Sequence, residues 1–351
     1  MEISYHDLQF EQIPITMRSS GGTKYRRWVD IGMPKIPRTM IQHVFYLYKT
    51  KEDAEKGSEY GGTGFFVAVP SEAEDLKDRV NHLYGITNWH VALNDGFSVV
   101  RINKESDETD ILEYEPTDWE WISGKDDIAA VEIPYSASHL VNYVSTRAFA
   151  TEKIVTEREI GVGDDVFMIG RFIEKDGGPT NLPSVRFGNI SIMPSIIEQA
   201  TKYQGESYCI DLYSLPGYSG SPVFVYRTPF SNLDAAFLKN GFKFDDSFIY
   251  LLGIHWGQFK SNIIIDGKHI KNLSGITMVI PAQKILDLLN IDKFRKRRMK
   301  EDVSARKRLF DGRFKPMPDS AKPLINTENP QHKEDFNSLV SAAAKKKPQD
   351  D

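Results

Sequence analysis

The chain has 351 residues, a net charge of −5, 40% hydrophobic residues and 26% charged residues, which is an ordinary composition for a globular protein. No apolar run approaches the roughly 20 residues needed to cross a bilayer, so the sequence predicts no membrane-spanning helix and no membrane partner. The first residues, MEISYHDLQFEQIP, carry acidic groups and no continuous apolar segment, which makes the cytoplasm the expected location.

Residues 1–40 are polar and are interpreted as an N-terminal extension of turns and extended chain. Within residues 41–150, six short runs are rich in Val, Ile, Phe and Tyr and are bounded by Gly, Pro, Asp or Asn. These runs are IQHVFYLY, GTGFFVAV, HLYGITN, FSVVRI, ILEY and DIAAVEI. Such runs predict β-strands. Six strands suit a small antiparallel barrel, which is the prediction for this part of the chain.

Residues 151–290 contain a second set of six such runs: DDVFMIGRF, SVRFGNISIM, SYCIDLY, SPVFVY, FIYLLGIHW and GITMVIP. The segment PAQKILDLLN follows and predicts a helix, because Ile285, Leu288 and Leu289 recur at helical spacing after a proline. The predicted fold class is therefore all-β, with two successive barrels and a C-terminal helix.

Residues 291–351 differ in character and hold 16 Lys or Arg against 10 Asp or Glu, whereas residues 1–290 hold 28 against 39. This range is predicted to be a basic, largely disordered tail. Its basic run, residues 293–308, is interpreted first as a solvated extension of the helix. Contact with nucleic acid, another anionic partner or the acidic body of the chain is the alternative.

Cys209 is the single cysteine, so no intrachain disulfide can form and a secreted fold built on disulfides is excluded. Its context, YCIDLY, favours a small buried strand residue over a reactive thiol. The sequence contains neither a CxxC pair nor an HExxH motif, and we expect no metal site and no cofactor.

Three segments carry residues suited to acyl transfer. YGITNWHVA places His90 after a β-run, DDIAAVEI begins with an acidic pair, and LPGYSGSPVF presents Ser219 in a glycine-rich turn. A serine nucleophile needs a base, a carboxylate that orients the base, and N–H donors for the oxyanion. The glycines allow the N–H groups of Gly217 and Ser219 to point at one position, which predicts an oxyanion hole there.

The blocks TNWHV, DIA and GYSGSP, in this order, resemble those of the chymotrypsin/trypsin-like serine protease superfamily, and the resemblance extends over residues 41–290. It implies two six-stranded β-barrels with a cleft between them. His90 would be the base, Asp127 the orienting carboxylate and Ser219 the nucleophile of an endopeptidase for peptide or protein substrates. Asp126 is the competitor of Asp127 and is interpreted as a strand-end cap or a solvated charge. The alternative function is a protease-fold binding or scaffold protein that is catalytically idle.

The later segment GIHWG makes the pattern similar to the glutamyl endopeptidase branch of the superfamily. The similarity implies that His255 and Ser214 bind the carboxylate of a substrate Glu or Asp, since an imidazole and a hydroxyl can both donate hydrogen bonds. A structural histidine and a loop serine are the alternative. Gln258 departs from the branch, which usually has Gly at that place. Tyr218 stands where digestive relatives have an Asp that pairs with a freed N-terminus. We therefore expect the enzyme to be active without that ion pair, or to be controlled by another route.

Overall fold

The computed structural model describes residues 12–18, 24–30, 36–226 except 77, 135 and 176, 249–265, and 268–310. The chain divides into two compact units, and one of them comprises Met1–Pro37 and Arg227–Phe248. In that unit the structure describes an antiparallel hairpin of strands β1 (Gln12–Arg18) and β2 (Lys24–Asp30). The hairpin lies where the sequence indicated turns and extended chain.

The other unit comprises Arg38–Tyr226 and Ile249–Asp351 and begins with a seven-stranded sheet. The strands of this sheet are β3 (Val44–Tyr48), β4 (Tyr60–Pro70), β5 (Asn81–Thr87), β6 (Val99–Asn103), β7 (Thr109–Leu112), β8 (Ala129–Glu132) and β9 (Val144–Ser145). They run in the order β7-β6-β3-β4-β5-β8, with β9 parallel to β4 and the other pairs antiparallel. The short helices α1 (Arg38–Ile41) and α2 (Lys51–Lys56) flank β3.

Alternating side chains of these strands form the core of the first sheet, because successive residues of a strand point to opposite faces. Phe66 and Ala68 on β4 pack with Phe45 and Leu47 on β3, and Val131 on β8 joins the same buried cluster. The sheet is therefore held by apolar contacts that the Phe- and Val-rich runs supply, and the loops at its end are free to carry polar groups.

Six strands form a closed antiparallel barrel after the first sheet, in the order β10-β11-β12-β15-β14-β13. Their bounds are β10 (Asp165–Gly170), β11 (Ser184–Glu198), β12 (Gln204–Asp211), β13 (Pro222–Tyr226), β14 (Ile249–Ile265) and β15 (Lys268–Pro281). The barrel core is a second apolar cluster, which includes Met168, Ile210, Val223, Leu252 and Val279.

Three further helices belong to this unit: α3 (Glu152–Glu157), α4 (Ala282–Leu289) and α5 (Asp292–Phe310). Helix α3 precedes the barrel, and α4 follows its last strand with Ile285, Leu288 and Leu289 buried. Among the described residues, no helix has the length and apolar character needed to span a bilayer.

Helix α5 packs on the first sheet although it follows the second barrel in sequence. The Phe294 ring contacts the Tyr84 ring with centroids 4.9 Å apart, and Arg298 donates to the Leu289 carbonyl over 2.7 Å. His82 on β5 lies 3.0 Å from a carboxylate oxygen of Asp302, which is buried. Residues 292–310 are thus a docked helix, whereas the sequence was interpreted as a largely disordered tail from residue 291 onward. Residues 311–351 of that tail lie outside the described residues.

The predicted all-β fold with a C-terminal helix is confirmed, and the second six-stranded barrel is closed as expected. The first set of strands was predicted to be a six-stranded antiparallel barrel. The structure has a seven-stranded sheet there instead, because the short β9 pairs parallel to β4 at Val67 and Ala68. Cys209 is a buried residue of β12, as its context indicated, and burial raises the pKa of its thiol.

Candidate active site

His90 and Asp127 are in direct contact at the end of the first sheet. Strand β5 ends at Thr87, and the chain then forms a single π-helical turn, His90–Asn94, which starts at the histidine. Asp127 precedes β8, the neighbour of β5, so the pairing of these strands brings both residues to one edge. The Nδ1 of His90 lies 2.6 Å from Oδ2 of Asp127, and the backbone amide of His90 donates to Oδ1 over 2.9 Å. Both carboxylate oxygens therefore fix the histidine.

The environment of this pair raises the pKa of the imidazole above its ordinary value. Asp127 is fully buried, while the His90 side chain keeps 19% of its surface exposed. Burial by itself lowers the pKa of His90, but the hydrogen bond and the negative charge of Asp127 outweigh burial, and the pKa lies above its ordinary value of 6.5. Because Nδ1–H donates to Asp127, the neutral ring presents Nε2 as its acceptor.

Gln199 and Asn88 hold the loop that carries Asp127, and neither was identified from the sequence. Asn88 donates to the Asp127 carbonyl over 2.9 Å, and the Asp127 amide donates to Oε1 of Gln199 over 2.8 Å. The Nε2 of Gln199 donates to Asp126 over 3.0 Å, and burial raises the pKa of Asp126. Asp126 thus contacts Gln199, and Asp127 is the carboxylate that contacts His90.

Ser219 lies in a tight loop whose backbone requires glycine. Gly217 and Gly220 have φ angles of +97° and +87°, a region that residues with a Cβ rarely adopt. A Cβ on Gly220 would lie 2.0 Å from the carbonyl oxygen of Thr63. The Thr63 amide donates to the Ser219 carbonyl over 2.8 Å, and the Thr63 hydroxyl donates to the Gly217 carbonyl over 2.7 Å. Thr63, which sequence analysis missed, therefore joins the serine loop to strand β4.

Gly62 brings the serine loop close to the turn that begins at His90. A Cβ on Gly62 would lie 2.6 Å from the Ser219 carbonyl oxygen and 3.0 Å from the side chain of Val91, the residue after His90. Within the described residues, the Ser219 hydroxyl makes no hydrogen bond. Hydrogen bonds between a nucleophile and its base are often long without substrate, so the missing hydrogen bond does not exclude proton transfer between them.

The backbone amides around Ser219 divide into bonded and unbonded groups. The amides of Tyr218, Gly220 and Ser221 donate to Leu215, His255 and Tyr218, respectively. The amides of Gly217 and Ser219 have no hydrogen-bond partner in the part of the chain that the structure describes. Two unengaged donors flanking a serine hydroxyl are what an oxyanion hole requires.

His255 and Ser214 lie together beneath this loop, and both are buried. The Nε2 of His255 is 3.0 Å from the Ser214 hydroxyl, and its Nδ1 is 3.3 Å from the Met278 carbonyl. The backbone of His255 also pairs with the serine loop, since its amide donates to the Ser221 carbonyl over 2.9 Å. The sequence placed these two side chains in one pocket, and the structure brings them together.

The protonation state of His255 differs from the expectation that His255 and Ser214 both donate hydrogen bonds to a substrate carboxylate. Burial lowers its pKa to about 4, the Met278 hydrogen bond opposes this, and the charge of His90 lowers the pKa further. A carbonyl can only accept, so Nδ1 carries the proton of the neutral ring and Nε2 accepts from the Ser214 hydroxyl. The pair therefore has no donor left for a carboxylate unless His255 takes up a second proton.

Gln258, the departure from the glutamyl endopeptidase pattern, is turned toward the barrel wall. Its Nε2 lies 3.3 Å from the Thr277 hydroxyl and 3.4 Å from the Leu212 carbonyl. Its Oε1 is buried without a hydrogen-bond partner among the described residues. A glycine at this position would have no side chain to contact Thr277 and Leu212. Gln258 therefore adds a polar side chain to the barrel wall next to His255.

One comparison with known protein families agrees with the motifs. The family model described as trypsin-like peptidase domain matches residues 62–228. No curated protein matches the chain in sequence. Among solved structures, the apo MamO protease domain from Magnetospirillum magneticum is similar with 16% identity and a TM-score of 0.42, over 71% of this chain and 97% of that chain. Rv3671c from M. tuberculosis H37Rv, as an inactive serine-to-alanine mutant, has 16% identity and a TM-score of 0.38, over 71% and 85% of the two chains. Residues 62–228, which include His90, Asp127 and Ser219, thus match a trypsin-like peptidase domain.

Proposed function

We propose that the chain is a serine endopeptidase that cleaves peptide bonds through an acyl-enzyme formed on Ser219. The observation that carries the proposal is the 2.6 Å contact between His90 Nδ1 and the fully buried Asp127. That contact orients the histidine as a base beside the serine loop. The family match to a trypsin-like peptidase domain supports the same reaction class.

In this mechanism the Ser219 hydroxyl attacks the scissile carbonyl while Nε2 of His90 accepts its proton. Asp127 stabilises the imidazolium that forms and stays ionised itself. The amides of Gly217 and Ser219 donate to the developing oxyanion, and the imidazolium then protonates the leaving amine. Water attacks the acyl-enzyme by the same steps in reverse, with His90 again as the base.

A preference for Glu or Asp as the residue that donates the scissile carbonyl is the finer part of the proposal. It is supported by the buried pair of Ser214 and His255 next to the nucleophile loop. Because His255 is neutral near pH 7, a substrate carboxylate must bind together with a proton. The bound carboxylate would supply the negative charge that raises the pKa of His255 from about 4.

Labelling with a fluorophosphonate probe and hydrolysis of a peptide library test the proposed reaction. Ser219→Ala is expected to lose both signals while the circular dichroism spectrum stays unchanged. Ser221→Ala, two residues away in the same loop, is the matched control and should keep both. Labelling of Ser219→Ala at the wild-type level would contradict the assignment. A folded wild-type chain that is neither labelled nor hydrolytic would favour the catalytically idle scaffold.

A further inference from the structure

Tyr218 stands between the two residues whose amides would bind the oxyanion, and its side chain is anchored in the second barrel. The residue is fully buried. Its hydroxyl contacts the hydroxyl of Ser184 and accepts from Nε of Arg186 over 3.1 Å. The Arg186 guanidinium also lies over the Tyr218 ring, 5.3 Å from its centroid. Both partners belong to β11, a strand with barrel neighbours on both sides.

The ring of Tyr218 fits because the barrel leaves space for it at Gly170. A Cβ on Gly170 would lie 2.7 Å from the Tyr218 ring, so a larger residue would displace the ring. The ring itself belongs to the buried cluster of the barrel, together with Met168 and Val223. Close packing restricts such a side chain to one position. The two ends of the side chain are therefore fixed, the ring by apolar contacts and the hydroxyl by β11.

The flanking backbone needs such an anchor. Gly217 has a φ of +97° and no Cβ, and glycine populates many other conformations at little cost. The peptide between Gly217 and Tyr218 is held at its carbonyl by Thr63 over 2.7 Å and at its amide by Leu215 over 3.3 Å. These bonds fix the plane of the peptide between Gly217 and Tyr218. The anchored Tyr218 side chain fixes the Cα of Tyr218, from which the backbone continues to Ser219.

We propose that the Tyr218 hydroxyl, held by Ser184 and Arg186, is a positioning element that keeps the amides of Gly217 and Ser219 aimed at the oxyanion. The inference rests on the proposed serine endopeptidase function. A hydrogen bond from a charged donor is stronger than a neutral one, which suits Arg186 for this role. Tyr218 and both of its partners are in place in this chain, so the positioning needs no cleavage that frees a new N-terminus.

Tyr218→Phe tests the proposal because it removes the hydroxyl and keeps the ring. We expect kcat to fall about 10- to 100-fold with KM changed by less than about twofold, since displaced oxyanion donors weaken the transition state and not ground-state binding. Affinity for a peptide boronate, which mimics the tetrahedral intermediate, should fall in parallel. Affinity for a product peptide should not change. Tyr208→Phe removes a buried phenol from the same barrel core and is the matched control.

Variants of the partners show whether the hydroxyl acts through β11. Arg186→Met should reproduce part of the Tyr218→Phe loss, and Arg186→Lys should recover some of it. The double variant Arg186→Met with Tyr218→Phe should lose little more than Tyr218→Phe alone, because Tyr218→Phe already lacks the hydrogen bond that Arg186→Met breaks.

Two outcomes would overturn the inference in different ways. Wild-type kcat and boronate affinity in Tyr218→Phe would reject the anchor while leaving the enzyme assignment intact. An activity loss that merely follows the unfolded fraction, measured by thermal denaturation, would show a packing role only. Absence of fluorophosphonate labelling in the wild type would instead remove the proposed function, and the positioning role with it.

Discussion

Gln199 accepts a hydrogen bond from the backbone amide of Asp127 over 2.8 Å, and so ties the second barrel to the carboxylate that orients His90. Its Nε2 donates to Asp126 over 3.0 Å at the same time. Gln199 is buried, and it follows β11 at the tip of the hairpin with β12. The relative position of Asp127 and His90 thus depends on a residue far away in sequence.

Gln199→Met keeps the length of the side chain and removes its acceptor. The Asp127 amide then stays buried without a partner, which should lower the free energy of unfolding by about 1–3 kcal/mol. We also expect a lower kcat, because Asp127 is no longer held against His90. Urea denaturation and steady-state kinetics measure the two effects. Gln283→Met on helix α4, whose hydrogen bond with Asp287 is exposed, serves as the control, and equal behaviour of the two variants would contradict this role of Gln199.

The pH dependence of kcat/KM should report the titration of His90. The ring must be neutral to accept the serine proton, and its pKa lies above 6.5 because Asp127 outweighs burial. Activity should therefore rise with pH through an acid limb centred above 6.5. Asp127→Asn removes the charge that raises this pKa, so the limb should move to lower pH while kcat falls by a factor of about 10⁴. An acid limb that does not move would exclude Asp127 as the partner of His90.

The choice between glutamate and glutamine substrates should depend on pH through His255. A carboxylate must bind with a proton because burial lowers the pKa of His255 to about 4, whereas a neutral amide need not. The ratio of kcat/KM for a Glu peptide to that for its Gln counterpart should therefore rise as pH falls from 8 to 5.5. Titration of His90 affects both peptides equally and cancels in the ratio.

His255→Ala and Ser214→Ala should each remove this pH dependence, since they take away one member of the pair. A wild-type ratio that stays flat with pH would contradict proton uptake at His255. A flat ratio below one would mean that the pocket accepts neutral side chains and that the preference for acidic residues is wrong.

Helix α5 should contribute to the stability of the first sheet. Asp302 lies 3.0 Å from the His82 ring and accepts from Ser71 over 2.8 Å, and all three residues are buried. Asp302→Ala leaves the Ser71 hydroxyl and one ring nitrogen of His82 buried without this partner, so the free energy of unfolding should fall by about 1–3 kcal/mol. Arg306→Ala breaks an exposed pair with Asp75 and should have no measurable effect. Denaturant unfolding checks both, and equal values would show that α5 is not clamped at Asp302.

Most of the fold was predictable from local patterns. Runs such as GTGFFVAV and SPVFVY alternate or concentrate apolar residues with the period of strands, and Gly, Pro and Asp mark their ends. The sequence suggested a solvated helix extension within the tail, but the docking of helix α5 was not predicted, because its sequence, DKFRKRRMKEDVSARKRLF, has few apolar residues. It docks instead through Phe294, Ala305 and the buried polar groups of Arg298 and Asp302, which a hydrophobic pattern does not reveal.

Some residues of the candidate site could be identified from short motifs, and others only from contacts in the folded chain. His90, Asp127 and Ser219 lie in short motifs, so the sequence could indicate them. The sequence around Thr63 gave a weak indication of its role, because a polar residue lies there between glycines in an apolar strand run. The sequence around Gln199 gave none. Both act through contacts made by the folded backbone, which one sequence does not specify. The neutral state of His255 likewise follows from burial and from the Met278 carbonyl.

Mass spectrometry of the acyl-enzyme tests the central claim most directly. The protein is mixed with an activated ester of an N-acylated amino acid, quenched in acid and digested for peptide mapping. The account predicts one acyl group per chain, located on Ser219, present in the wild type and absent in Ser219→Ala and His90→Ala. An acyl group on another residue, or none in the folded wild-type protein, would contradict it.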